Sequence, residues 1–345
     1  MLPGAVASRG RHASDQQGGH PAQLPVPLVP AGWVGVGRDA MTARAVEVRL
    51  GAFGWRIAFV GCEQEARGFA GILTGWDAQL AWADQDRPAD VTIWRHGEGY
   101  RWRSATLTRP LMWRTRPPLT RMEAICDVHD ALFDWYLARR PGHLCLHAGA
   151  VRIGGALVVF PSVGKAGKST LVTELAARGH QVLCDDVLPI EPRRGSGVAL
   201  GIAPRLRRPL PVTVGADFRA FVERRAGPRN RYWMYVCLAE GEIAPLGAEH
   251  PIEGLVLLAR QSERCRARLE PISRTEILSE LILQDFADGV PAAQRLDRLI
   301  AIVETARCYR LRYHTTNSAA RALEGAFGRA EHASARGGIE RRAGP

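Results

Sequence analysis

Eight consecutive residues concentrate the chemistry of this chain: Ser162-Val163-Gly164-Lys165-Ala166-Gly167-Lys168-Ser169. They hold both of its lysines, while the remaining 44 of its 46 Lys and Arg residues are arginine. A compact ammonium on a flexible stem is a different tool from a planar guanidinium, and it is kept here where a loop could wrap a phosphate chain. In a Gly-Lys-Ser unit that opens a helix, Lys168 can reach the β- and γ-phosphates of a nucleotide such as ATP, and the Ser169 hydroxyl can bind Mg²⁺. The backbone amides of Gly164, Lys165, Ala166, Gly167, Lys168, Ser169 and Thr170 can cradle the phosphate oxygens at the helix N-terminus. Such loops usually open with glycine, and this one opens with Ser162; Gly164 and Gly167 still permit the turn. The plainer alternative is a chance turn rich in Gly, Lys and Ser.

A pair of carboxylates, Asp185-Asp186, follows 17 and 18 residues after Lys168. Successive side chains on a strand point to opposite faces, so the two are expected to do different work. One would hold Mg²⁺ and the other would act as a general base. The bland reading is an aspartate pair at a strand-to-loop turn. His147 precedes Lys168 on an apolar segment, where a histidine is ordinarily a packed, hydrogen-bonded core residue.

These groups need elements to position them. Leu144–Arg152 reads as a strand, Gly154-Gly155 as a turn and Ala156–Phe160 as a buried strand. After the loop, Ser169–Arg178 is expected to be a helix with Leu171, Val172 and Leu175 on one face and Gly179 as its stop. Gln181–Cys184 is the next strand, which completes a strand-loop-helix-strand unit. Later strands are expected at Val198–Ile202, Met234–Leu238, Gly254–Ala259 and Cys308–Tyr313. Helices are expected at Arg274–Gln284, Ala292–Ala306 and Ala319–Phe327. The fold class is therefore α/β, with a nucleotide domain over residues 144–327.

Ahead of it, residues 45–118 alternate apolar and polar positions in short runs, as in Val46–Leu50, Trp55–Val60, Val91–Trp94 and Tyr100–Thr106. They read as a small β-rich domain. Its aromatic run from Tyr100 and Trp102 to Trp113 could dock a peptide, although such a run more often faces a core. Residues 120–139 have helical spacing behind a Thr120 cap and would link the two domains. Residues 1–40 and 328–345 lack a periodic apolar pattern and are expected to be disordered. Met41 precedes the first patterned segment and is a candidate translation start alongside Met1.

The 345 residues suffice for a large core, and 46% apolar with 23% charged residues is ordinary for a globular protein. The net charge of +11 comes from scattered arginine, which does not favour nucleic acid as a partner. Arg205, Arg207 and Arg208 could clamp a transferring phosphoryl group, although exposed arginines are common in so Arg-rich a chain. Seven cysteines without a C-x-x-C pair argue against a disulfide framework or a zinc site. No apolar run is long enough to span a membrane, and no secretory signal is apparent. The expected compartment is the cytoplasm.

The stretch His147-Ala-Gly-Ala-Val, Gly-Lys-Ala-Gly-Lys168-Ser169-Thr, Leu-x-x-Glu-Leu and Arg178-Gly179-His180-Gln-Val-Leu-Cys-Asp185-Asp186 resembles the bacterial HPr kinase/phosphorylase family and its related serine kinases. The resemblance is close over residues 144–190 and looser to about residue 325. It implies a P-loop domain of the HPr kinase and PEP carboxykinase type that uses ATP and Mg²⁺. Lys168 and Ser169 would then bind phosphates and Mg²⁺, and Asp185 would accept the proton of a substrate serine. Asp186 would assist the metal, and His147 would support the active-site aspartate and phosphate. Residues 45–115 show no kinship with the N-terminal domain of HPr enzymes. The implied partner is a protein or peptide carrying a serine rather than HPr itself. HPr kinases assemble as hexamers, so a homo-oligomer is compatible with the resemblance. Two rival readings stay open: a non-catalytic nucleotide-binding regulatory module, and a small-molecule kinase of the same fold.

Overall fold

Alternating apolar residues make the first strands. The computed structural model describes residues 45–84, 87–107, 119–162, 166–287 and 289–328. Strands β1 (Ala45–Leu50) and β2 (Trp55–Val60) lead into helix α1 (Glu63–Ile72), and β3 (Ala78–Trp82), β4 (Val91–His96) and β5 (Gly99–Ser104) follow. They form a five-stranded sheet in the order β3-β1-β2-β4-β5. Helix α2 (Arg121–Ala138) begins with a reciprocal cap: the Glu123 amide donates to the Thr120 hydroxyl and the Thr120 amide donates to the Glu123 carboxylate. Its Met122, Ile125, Val128 and Leu132 are buried in one core with Ile57, Phe59, Phe69 and Trp76. Tyr100 is buried in that core and Trp102 packs against it, so this part of the aromatic run is structural. Trp113, Met41, the N-terminal extension and the tail beyond Gly328 lie outside the described residues.

The second half is built from β6 (Leu144–Ile153), β7 (Ala156–Pro161), α3 (Lys168–Ala177), β8 (Gln181–Cys184), β9 (Val187–Ile190), β10 (Gly197–Val198) and β11 (Arg205–Arg207). Then come α4 (Ala216–Arg224), β12 (Ala226–Arg229), β13 (Trp233–Val236), β14 (Glu249–His250), β15 (Ile252–Arg260) and β16 (Arg268–Pro271). Helices α5 (Arg274–Gln284) and α6 (Ala292–Thr305), strand β17 (Arg307–Tyr313) and helix α7 (Thr316–Phe327) complete it. A nine-stranded sheet runs β14-β10-β9-β6-β7-β15-β17-β16, with β8 also on β6, and β11-β13-β12 make a three-stranded sheet. Strands β7, β15 and β17 are mutually parallel, and β6 is antiparallel to β7, β8 and β9.

Side chains alternate across this sheet. Val158 and Phe160 of β7 join Leu171, Val172, Leu175, Leu323 and Phe327 on the α3/α7 face. Leu157 and Val159 join Ile277, Leu281, Leu299 and Ile302 on the α5/α6 face. Each such burial is worth about 1.5–3 kcal/mol relative to exposure, which fixes α3 against the strands that carry the polar residues. Among the described residues the result is a mixed α/β protein with seven α-helices and three sheets, and none of the helices is long and apolar enough to cross a membrane.

The strand after α3 pairs with β6, which separates it from β7, so β7 and β8 run parallel but one strand apart. Two local outcomes differ from the sequence reading. The strand expected over Val198–Ile202 stops at Val198, because Gly201 takes a φ of +63°. Its backbone meets Gly75, whose amide donates to the Gly201 carbonyl at 3.1 Å. A Cβ on Gly75 would sit 2.4 Å from the Gly201 Cα. Trp76 Nε1 donates to the Leu200 carbonyl at 2.7 Å beside this contact, which holds the five-stranded sheet against the larger one. Helix α1 was not expected, and it packs on β12 through its glycine-bearing side.

Candidate functional site

Helix α3 starts where the Gly-Lys-Ser unit predicts, with Gly167 as its N-cap at a φ of +98°. The Tyr313 hydroxyl donates to the Ala166 carbonyl at 3.2 Å, so the end of β17 props the turn. Close packing of α3 on β6 depends on Gly149, where a Cβ would lie 2.8 Å from a Val172 methyl. Lys168 is only 6% exposed, and its ammonium donates to the Ser162 carbonyl. Burial lowers the Lys168 pKa from its ordinary value, while the Asp186 and Asp185 charges oppose that shift. Ser162, which replaces the usual glycine, is buried and its hydroxyl accepts the Leu258 amide at 3.2 Å. It ties the root of the turn to β15. Val163, Gly164 and Lys165 lie outside the described residues. Ala166, Gly167, Lys168, Ser169 and Thr170 all line one cleft of about 370 Å³.

Asp185 and Asp186 occupy an interruption in one line of pairing. Strand β8 pairs with residues 150–152 of β6 and β9 with residues 144–147, so the aspartates project where the ladder breaks. The Arg205 amide donates to Asp185 Oδ2 at 3.0 Å, and the nearby Ser169 hydroxyl favours the ionised form of the same carboxylate. Burial, reinforced by the neighbouring Asp186 charge, pushes the Asp185 carboxyl up to about 6. Asp186 is the more exposed of the two, and its Oδ1 lies 2.9 Å from His147 Nε2. That hydrogen bond holds Asp186 below the usual carboxylate range. Adjacent carboxylates are thus driven in opposite directions, the pattern that separates acid/base from charge-binding roles.

His147 was expected to support the active-site aspartate; of the adjacent pair it is Asp186 that it bonds. Its Nδ1 lies 3.0 Å from Gln284 Oε1, and Gln284 Nε2 donates to Glu280 at 2.8 Å. Since Gln284 is oriented by Glu280, both imidazole nitrogens face acceptor oxygens. Gln284 is buried and sits 137 residues from His147 in sequence, which is why local reading missed it.

The structure separates Arg205 from Arg207 and Arg208, with which the sequence groups it. The Arg205 guanidinium lies 5.1 Å from the Trp233 ring centroid and 3.6 Å from the Cys126 sulfur, so the aromatic residues of β13 fix its direction. Arg207 borders the same cleft and stacks on Trp233, whereas Arg208 is exposed and bonds the Asn230 carbonyl. The Arg178-Gly179-His180 segment does not reach the site. Arg178 and His180 both bind Glu324, at 3.0 and 3.1 Å, and fasten α7 to the far end of α3.

A second, larger cavity of about 1100 Å³ adjoins the first. His129, His147, Asp185, Asp186, Ile202 and Arg205 line both. The carboxylate pair therefore stands at the partition between a cleft headed by Lys168 and a roomier one bounded by α2 and the end of α5.

No family model matches the chain, and no curated protein matches it. Among solved structures it is similar to the Hpr(Ser) kinase/phosphatase from Coxiella burnetii, with 12% sequence identity and a TM-score of 0.29; the match covers 57% of this chain and 99% of that one.

Proposed function

We propose that the chain is an ATP- and Mg²⁺-dependent kinase that transfers the γ-phosphoryl group to a serine hydroxyl of a protein or peptide. The observation that carries this reading is the position and opposed tuning of Asp185 and Asp186 at the partition between two clefts, one of them headed by Lys168. Transfer between two oxygens requires the nucleotide phosphates on one side of such a partition and the acceptor on the other, with positioning and electrostatics supplying most of the acceleration.

The residues divide the work by environment. Lys168 has its ammonium close to both carboxylates and would neutralise charge on the β- and γ-phosphates. Asp185, the more basic carboxylate, would take the proton of the attacking hydroxyl. The donors near it, the Ser169 hydroxyl and the two carboxylates, are all hard oxygens, which suits Mg²⁺ with several retained waters. Ser169 and Asp186 would hold that ion, and His147 would orient Asp186. The bound ion would supply charge neutralisation across the phosphates. The resemblance of residues 144–190 to HPr kinases and related serine kinases supports the same division.

The test is transfer of label from γ-labelled ATP to serine peptides and to lysate proteins by the full chain, beside Lys168→Ala and Asp185→Asn. Label on serine with the wild type alone is the expected result. Equal labelling by Asp185→Asn would refute the base assignment. ATP binding without any transfer would leave a nucleotide-binding module.

A further inference from the structure

The larger cavity has a character at odds with the rest of the chain. The protein carries a net charge of +11, yet this cavity is lined by five aspartates and only two arginines. Of the arginines, Arg140 lies 3.5 Å over the Tyr136 ring centroid and donates to the Tyr136 carbonyl, and Arg205 is turned toward Trp233. Of the aspartates, Asp285 is paired with Arg295, and Asp185 and Asp186 belong to the partition. Asp130 and Asp134 remain, one turn apart on the α2 face that forms the cavity wall. Like charges at that spacing repel. Among the described residues Asp130 pairs with His129 alone, at 2.8 Å, and Asp134 makes no ion pair or hydrogen bond of its own, His129 being its one favourable electrostatic neighbour. Burial and the Asp130 charge raise the Asp134 carboxyl above its ordinary value against a smaller opposing effect of His129, a cost that an incoming cation would relieve.

The same wall is amphipathic. Phe133 and Leu137 alternate with the aspartates, and across the cavity stand Leu283, 73% exposed, and Phe286, 45% exposed. A ligand filling this space would need a cation for one wall and apolar groups for both lips. It would also need a hydroxyl that reaches the partition.

We infer that the larger cavity is the acceptor site and takes an extended peptide segment whose serine is flanked by a lysine or arginine and by apolar side chains. The inference rests on the phosphoryl-transfer reading of the adjoining cleft. Geometry sets the spacing. From His129, which lines both cavities, to Asp134 the helix rises about 7.5 Å. An extended chain covers that in roughly two to three residues, so the basic side chain belongs two to four residues from the serine. This spacing distinguishes a peptide from a small hydroxylated metabolite, which would fill the partition end alone.

The test uses the full chain and two short fluorescein-labelled peptide pools, centred on serine and flanked by apolar residues. One pool carries arginine two to four residues from the serine and the other carries glutamate. Fluorescence anisotropy at low salt should show the arginine pool binding about tenfold tighter or better, with the advantage shrinking as salt rises. Asp134→Lys, checked for folding by circular dichroism, should remove the advantage; the wild-type comparison stands alone if that variant does not fold. Equal affinities, a preference for glutamate, or binding by neither pool would overturn the inference, the last pointing to a small-molecule acceptor. Label transfer from ATP is read separately. An arginine preference without transfer keeps the cleft and removes the kinase, whereas transfer without that preference does the reverse.

Discussion

Replacing Asp185 with asparagine should abolish phosphoryl transfer and at the same time make the protein more stable at neutral pH. The carboxyl of Asp185 is raised from its ordinary 3.8 to about 6, first by burial and then by the Asp186 charge. At about 1.36 kcal/mol per pH unit, keeping it ionised costs the fold about 3 kcal/mol. Asparagine can still accept the Arg205 amide but forfeits a second strong acceptor, a loss of about 1 kcal/mol. The net gain is about 2 kcal/mol above pH 6. With an unfolding entropy of about 2.1 cal/mol/K per residue, that is a rise in Tm of about 3 °C for 345 residues. The sign follows from linkage. Below pH 3.8 the group is protonated in both folded and unfolded chains, so no charge penalty remains. The penalty grows as pH rises through 3.8 toward 6 and is complete above that. Calorimetry of both proteins at pH 4.5 and pH 8 should therefore show a Tm gap that opens with pH. A gap that is the same at both pH values, or a lower Tm for the variant at pH 8, would refute the claim that Asp185 is a desolvated base.

Transfer itself should fail on the acid side. Initial rates should fall as pH drops through about 6, or somewhat below where a divalent cation further stabilises the carboxylate; a flat profile from pH 5 to 8 would count against Asp185. His147→Gln removes an imidazole that touches both Asp186 and Gln284. The Mg²⁺ concentration for half-maximal rate should rise about 10–100-fold, with a smaller loss at saturation; a Mg²⁺ titration reads this directly. Gly75→Ala places a Cβ 2.4 Å from Gly201. It should cost about 1–3 kcal/mol in urea unfolding, and an unchanged midpoint would show that the two backbones are not held together.

Where signals are local, the sequence was readable. The Thr120 and Glu123 pair announced the start of α2, and Gly179, at a φ of +88°, closed the turn after α3. Helix α1 escaped because Gly68 and Gly71 interrupt it, and glycine weakens a helix. Their purpose is non-local: a Cβ on Gly68 would meet Pro228 at 2.8 Å, and one on Gly71 would meet the Cys237 sulfur at 3.0 Å. The candidate site divides in the same way. Lys168, Ser169 and the aspartate pair were visible in their own motifs, whereas Arg205, Gln284 and the α2 wall come to the site from other elements. Arginine identity carried no signal for Arg205 in a chain with 44 of them. Only the aromatic β13, paired with β11, turns its side chain inward.

The adjacency of Asp185 and Asp186 gives a last discriminating experiment, because two neighbouring residues of one chemical type are assigned opposite tasks. The break between β8 and β9 sends one carboxylate under the Arg205 amide and the other toward His147. Asp186 is held below the usual carboxylate range by its histidine partner, so its charge favours the folded state above pH 3.8 and that contribution fades as pH falls. Asp186→Asn should therefore lower Tm slightly at pH 8, a small change because the side chain is 56% exposed. Asp185→Asn should raise it. Kinetics should separate them again. On the proposed assignment Asp186→Asn weakens the cation site, so raising Mg²⁺ should recover part of its transfer rate. On the same assignment Asp185→Asn lacks the base, and no Mg²⁺ concentration should recover it. If both variants shift Tm in the same direction and both respond to Mg²⁺, the two carboxylates share one role and the assignment of base and metal ligand collapses. If the responses exchange places, Asp186 is the base and the proton acceptor lies on the His147 side of the partition.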